Sequence, residues 1–175
     1  MKFLFILIAL CTITYSFGQQ ANFEWAKQMG SSFNENGRSI KVDASGNVYT
    51  TGRFYGTVDF DPGPGTNNLT AQGGADVFVQ KLDPSGNFLW AKSFGGTSND
   101  QGYSITVDAS GNVYTTGQFE GTVDFDPGAG TNNLSSQGGE DAFIQKKPIF
   151  KSKEKYDKAI LAKNKAKNMI TIHDK

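Results

Sequence analysis

Two Asp-Phe-Asp triplets hold the side chains of this sequence best placed to do chemistry. Asp59-Phe60-Asp61 and Asp124-Phe125-Asp126 each set two carboxylates at i and i+2, which on an extended strand point to the same face. Carboxylate oxygens clustered in this way suit a hard cation, Ca²⁺ above all. Asn67, Asn68 and backbone carbonyls could add further oxygens. The competing reading is structural: the aspartates cap the turn at Pro62-Gly63, with Phe60 as the buried residue. An EF-hand loop would need Asp-x-Asp-x-Asp-Gly and a closing Glu, and that pattern is lacking. Asp59, Asp61, Asp124 and Asp126 are therefore the candidate metal ligands, and no other cofactor is expected.

Other reactive groupings are sparse. The single histidine, His173, lies close to the C-terminus, and no Ser/His/Asp or metal-hydrolase spacing surrounds it. The single cysteine, Cys11, falls in the N-terminal apolar stretch. Gly63-Pro64-Gly65 does not stand between a strand and a helix, so it does not read as a phosphate cradle. Asp76 and Asp141, which follow Gly-Gly pairs, read as strand starts. No catalytic residue is assigned, and the chain is expected not to be an enzyme.

What positions these aspartates is a repeat. Aligning 23–81 with 88–146, sixty-five residues on, leaves 41 of 59 positions identical. Repetition this long marks an array of one stacked unit. Within the unit the hydrophobic period is two: Ile40 and Val42 alternate with polar neighbours, Val48 to Thr51 is β-branched and aromatic, and 76–82 and 87–92 complete four short strands. Asp43-Ala-Ser-Gly46-Asn47, Asp83-Pro-Ser-Gly86-Asn87 and Asp108-Ala-Ser-Gly111-Asn112 are three versions of one reverse turn. In each, the Asp accepts backbone N–H groups and the Gly takes positive φ. An Asp-box would place Gly two residues after Asp, whereas Gly46 lies three after Asp43. The hairpins are thus 39–43/47–52 and 77–82/87–92, with 56–75 as a small strand and an excursion loop. Trp25, Trp90, Tyr49, Tyr114, Phe54, Phe78, Phe119 and Phe143 recur at fixed positions, which points to packing between units.

The pattern predicts an all-β fold of tandem four-stranded antiparallel β-propeller blades, about two of them, in an incomplete ring. The spaced motif W-A-K…S-I-x-V-D-x-S-G-N-V-Y-x-T-G…D-x-F-x-x-K-L-D-x-S-G-N resembles the bacterial β-propeller repeat family called SBBP. The segment V-D-F-D-P-G-x-G-T-x-N-L is similar to repeats common in exported proteins of Bacteroidetes-type bacteria. The resemblance covers 23–146 and implies the fold and an extracytoplasmic setting; it carries no catalytic residues, because the family has no agreed activity. Phe23–Met29 matches the fourth strand of a blade and would complete the last blade on ring closure.

The ends read differently. Lys2, the apolar run 3–13 and Ser16-Phe17-Gly18 make 1–18 a signal peptide cut before Gln19, so the expected location is secreted or cell surface. Export without a remaining cysteine leaves packing and sheet hydrogen bonds to hold the fold. Residues 19–146 carry a net charge of about −7 and 147–175 about +6, so the formal zero hides a split. The repeats, 23–87 and 88–146, are too acidic to suggest nucleic-acid binding. The repeat breaks after Lys146, and 147–175 reads as a basic tail able to form a helix, with a truncated or frame-shifted gene as the simplest origin. The expected function is a non-enzymatic scaffold or a protein- or glycan-binding module that needs further blades or self-association to close; the alternative is a fragment of a propeller enzyme acting on extracellular polysaccharide.

Overall fold

The computed structural model describes residues 22–147; the expected signal peptide 1–18 and the tail from Pro148 lie outside the described residues. Alternation dictates β1 (Asn36–Val42) and β2 (Val48–Phe54), which pair antiparallel with Val42 opposite Val48. Asp43 closes their turn. One of its oxygens accepts the N–H groups of Ser45 and Asn47 at 2.9 and 3.0 Å; the other accepts the Asn47 side-chain amide and the Tyr49 hydroxyl. Gly46 supplies the reversal at φ +81°. The turns at Asp83 and Asp108 repeat this arrangement around Gly86 and Gly111.

Strand β5 (Asp76–Leu82) pairs with β2 and β6 (Phe88–Phe94) pairs with β5, giving the sheet order β1-β2-β5-β6, one complete blade. Between β2 and β5 the chain leaves the sheet as a hairpin of β3 (Thr57–Asp59) and β4 (Asn68–Thr70). This hairpin folds back over one face of its own blade, where Phe54, Val58, Phe60, Phe78 and Ala91 are buried together. Gln80, fully buried, ties it down by donating to the Phe60 carbonyl at 2.6 Å.

The second repeat forms β7 (Gln101–Val107), β8 (Val113–Asp124) and β9 (Asn133–Lys147), in the order β7-β8-β9. Here β8 and β9 stay paired into the excursion through a register shift between Glu120 and Thr122. The excursion folds back as in the first repeat, bringing the Phe125 ring to 5.2 Å from Phe119 and from Phe143. Gln145 donates to the Phe125 carbonyl at 2.6 Å, as Gln80 does to Phe60.

The two sheets pack face to face. Tyr49, Val77, Val79 and Phe94 of the first blade meet Ile105, Val113, Phe119, Val123, Phe125 and Phe143 of the second in one core. Phe94 stands edge-on to Phe143 at 5.4 Å. At about 1.5–3 kcal/mol for each fully buried apolar side chain, this layer is the main favourable contribution to the fold. The expected blade architecture is present. Phe23–Met29 departs from the sequence reading, since it forms no strand and only Gly30 makes an isolated bridge, to Asp59. A strand needs a neighbour within hydrogen-bonding reach. Here the segment instead crosses the 83–87 turn, with the Trp25 indole N–H donating to the Pro84 carbonyl at 3.1 Å.

Bulges at Gly37/Ser39 and Gly102/Ser104 bring the carbonyls of Asn36 and Gln101 directly over Gly52 and Gly117, where any Cβ would collide with them. Gly52→Ala or Gly117→Ala should lower stability by about 1–3 kcal/mol. Gly138→Ala, where nothing lies within 4 Å, should stay within about 0.5 kcal/mol. Urea unfolding midpoints decide between them.

Candidate functional site

The Asp-Phe-Asp triplets sit where a strand enters its excursion loop. Asp59 accepts the N–H groups of Asp61 and Asn67 at 2.9 and 2.8 Å, and Asp61 accepts that of Gly63 at 2.8 Å. The second copy repeats the pattern: Asp124 accepts from Asp126 and Asn132, and Asp126 from Gly128. Lys147 adds an ion pair to Asp126 at 3.0 Å. The amides of Asn67 and Asp61 hold Asp59 below the usual carboxylate range, and Lys147 does the same for Asp126. In each triplet, then, the structure joins the two aspartates through a backbone N–H, and the loop amides occupy one oxygen of each. Gly63 and Gly65 press against Asp61, as Gly128 and Gly130 press against Asp126. Among the described residues no three His, Cys, Asp or Glu side chains gather as a metal site would require.

The turn aspartates are likewise spoken for. Asp43, Asp83 and Asp108 all have lowered pKa values. At Asp43 burial is the largest single influence and acts upward, but the bonds from Asn47, Ser45 and Tyr49 together outweigh it; at Asp83 and Asp108 the Asn side-chain amide leads. Burial and the neighbouring Asp43 charge push the Tyr49 hydroxyl up to about 12, so it stays protonated and donates to that carboxylate.

Two clefts run between the blades, at opposite ends of the sheets. One, of about 520 Å³, lies between the turns at Asp43 and Asp108 and includes Tyr49 and Lys81. The other, of about 490 Å³, is lined by Gln72, Asp76, Thr97, Thr122, Asp124 and Asp126. At this second cleft stand two buried carboxylates: Asp76, which the sequence marks as a strand start, and Asp100, which sequence reasoning passed over. Asp76 is 1 % exposed and Asp100 fully buried. Asp76 starts β5 as expected, with one oxygen accepting the Gln72 N–H at 3.2 Å; its other oxygen has no partner. It is wedged against Gly95, where a Cβ would collide with it. Asp100 joins the blades by accepting the N–H groups of Gly96 at 2.7 Å and Glu120 at 3.1 Å, while its own N–H donates to Ala75. Its counterpart in the first repeat is Glu35, which accepts the equivalent N–H, that of Ser31, together with the Ser31 hydroxyl. Because the residue type changes between copies, repeat identity alone did not point to it.

Burial, aided by the charge of Asp100, pushes Asp76 from 3.8 up to about 7; burial also raises Asp100. Below pH 4 both folded and unfolded chains hold the Asp76 proton. Between about pH 4 and 7 the unfolded chain releases it while the folded chain keeps it, so this group makes folding less favourable as pH rises through that window. The loss is at most about 4 kcal/mol. Asp76→Asn should flatten the fall in thermal midpoint between pH 4 and 7, leaving the smaller share due to Asp100. An unchanged slope in the variant would assign the pH dependence elsewhere.

Residues 89–118 match the sequence model of a β-propeller repeat. The chain is 31% identical over 109 residues, 54% of its length, to an uncharacterized WD repeat-containing protein of Acanthamoeba polyphaga mimivirus, of which it spans 8%. It is 26% identical over 133 residues, 74% of its length, to the regulatory protein FlaEY of Caulobacter vibrioides, of which it spans 14%. The matched stretch 89–118 runs from β6 of the first sheet into β8 of the second, and with the sheet order it identifies the fold as tandem β-propeller blades.

Proposed function

We propose that this chain is a non-enzymatic, exported β-propeller module that acts as a scaffold, binding protein or glycan at the cell surface or outside the cell, as part of a larger propeller. The observation that carries this reading is how the carboxylates are used. The aspartates of the triplets and turns accept amides of their own loops, and Asp100 accepts amides that link the blades. A general acid, base or nucleophile needs a group facing substrate rather than committed to the backbone. Positions that differ between the copies are the natural recognition surface: Arg53, stacked at 5.7 Å on Tyr55, is replaced by Gln118 beside Glu120. Arg53 and Tyr55 stand where β2 ends and the excursion begins, and strand ends and loops on a rigid sheet stack are the usual place for such variation. The β-propeller repeat match and the WD repeat-containing relative favour interaction over chemistry. The alternative is a propeller enzyme acting on extracellular polysaccharide through residues of other blades.

Export and activity are tested together. Material recovered from outside the cytoplasm should begin at Gln19 by intact-mass measurement; an intact Met1 in the soluble cytoplasm removes the export claim. On a panel of extracellular polysaccharides and surface proteins, the chain should show saturable binding and release no reducing ends. Arg53→Ala with Tyr55→Ala should weaken that binding by about tenfold, equivalent to about 1.4 kcal/mol. Reducing-end release would transfer the assignment to the enzyme reading.

A further inference from the structure

Equivalent residues of the two blades have opposite fates. Val79 is 6 % exposed in the inter-blade core, while its counterpart Ile144 on β9 is 84 % exposed. Ile105 is 5 % exposed against the first blade, while its counterpart Ile40 on β1 is 64 % exposed. The second blade thus shows solvent the face that its twin buries, and the first blade shows along β1 the strip that its twin buries. The contact already made inside the molecule defines what fits these surfaces, since each free face is the counterpart of one side of it. Strand β9 also has no partner on its outer edge among the described residues, whereas β5, its counterpart, is paired there by β6.

We propose that a second copy of this chain docks head-to-tail on the first, its segment 23–29 adding to the free edge of β9 and its β1 strip covering Ile144. Phe23, Trp25, Ala26 and Lys27 are the same residue types as Phe88, Trp90, Ala91 and Lys92 of β6. Carrying over the β5–β6 register sets Ala142, Ile144 and Lys146 opposite Met29, Lys27 and Trp25 of the second copy, as Val77, Val79 and Lys81 stand opposite Phe94, Lys92 and Trp90. The segment is already positioned for this. Met29 packs on the Phe54/Phe60/Phe78 cluster of its own blade much as Phe94 packs on Phe125 and Phe143 of the next.

The residues that differ between the copies fit as well. Arg38 lies 6.0 Å over the Tyr103 ring across the blade junction. These two occupy equivalent positions, so at the new junction Tyr103 meets Arg38 of the second copy and the cation–π pair survives with its members exchanged. Ser39 accepts the Ile105 N–H at 3.3 Å; Ser104 stands ready to accept that of Ile40. A contact of this kind uses two different surfaces on each chain, so it propagates until the ring closes. The inference rests on the fold alone and stands or falls separately from the scaffold function.

The test is light scattering on the purified mature chain across a range of concentrations. The mass should rise from that of one chain to about two to four times that value, matching the roughly four to eight blades of a closed propeller. Ile144→Asp and Ile40→Asp each introduce a charge at a site exposed in the single chain, so circular dichroism and the melting point of dilute protein should not change. Each variant alone should remain a single chain, and an equimolar mixture should form a one-to-one dimer through the one unaltered pair of faces. A wild type that stays monomeric at every concentration overturns the proposal, as does Ile144→Asp assembling like wild type. A mixture that remains monomeric overturns the head-to-tail geometry.

Discussion

A twisted sheet with apolar residues on both faces cannot stand alone in water, and every other feature of this molecule follows from that constraint. The first blade meets it in two ways at once. On one face Tyr49, Val77 and Val79 are covered by the second blade. On the other, the chain covers itself with the hairpin of β3 and β4, whose Val58 and Phe60 bury Phe54 and Phe78. In the second repeat the same excursion places Val123 and Phe125 into the layer shared with the first blade. The excursion is therefore the packing between blades, carried on the chain as an insert, and the buried Gln80 and half-buried Gln145 hold it at a fixed distance from the sheet.

The aspartates show how one residue type serves two opposite electrostatic regimes. In the turns the carboxylate meets converging amides near solvent, and its charged form is favoured. At the blade junction Asp76 loses its water with few donors in return, and its neutral form is favoured. Both arrangements position backbone. The first fixes where a hairpin reverses, and the second fixes how the 95–100 connection passes from one sheet to the next, with Gly95 leaving room for Asp76. Carboxylates committed in this way hold the rims still while the residues that vary between copies occupy them.

Local chemistry was legible from the residues alone. The Asp-x-Ser-Gly-Asn turns, the alternation of 39–52 and the strand 76–82 follow from period and turn preference, and they form where those rules place them. The excursion was legible as a small strand and loop, though its second strand, Asn68–Thr70, was not, because Leu69 stands alone in a polar stretch and shows no period. At the triplets the residue types allowed either a metal or a cap; that the Asp61 and Asn67 N–H groups converge on one Asp59 oxygen depends on backbone direction, which residue types do not carry. Asp100 was hidden because Glu35 stands in its place in the first repeat. Phe23–Met29 marks the opposite limit: its residues match a strand, but a strand is a relation between two segments, and among the described residues of one chain its partner is lacking.

Identity between the repeats therefore measures shared shape and leaves burial undetermined. Thr51 and Thr116 are the same residue at the same place in the blade, each donating its hydroxyl to the carbonyl of Phe78 or Phe143. Thr51 is fully buried and Thr116 is exposed. Ile40 and Ile105 differ as widely in the other direction. Exposure here is set by position in the stack, and a stack of identical units always has one face of each kind at its two ends. Natural repeat arrays usually blunt such ends with atypical polar units. Among the described residues, Ile144 on one outer face and Ile40 and Val42 on the other keep the apolar types of the interior, so both faces retain the chemistry of a blade junction.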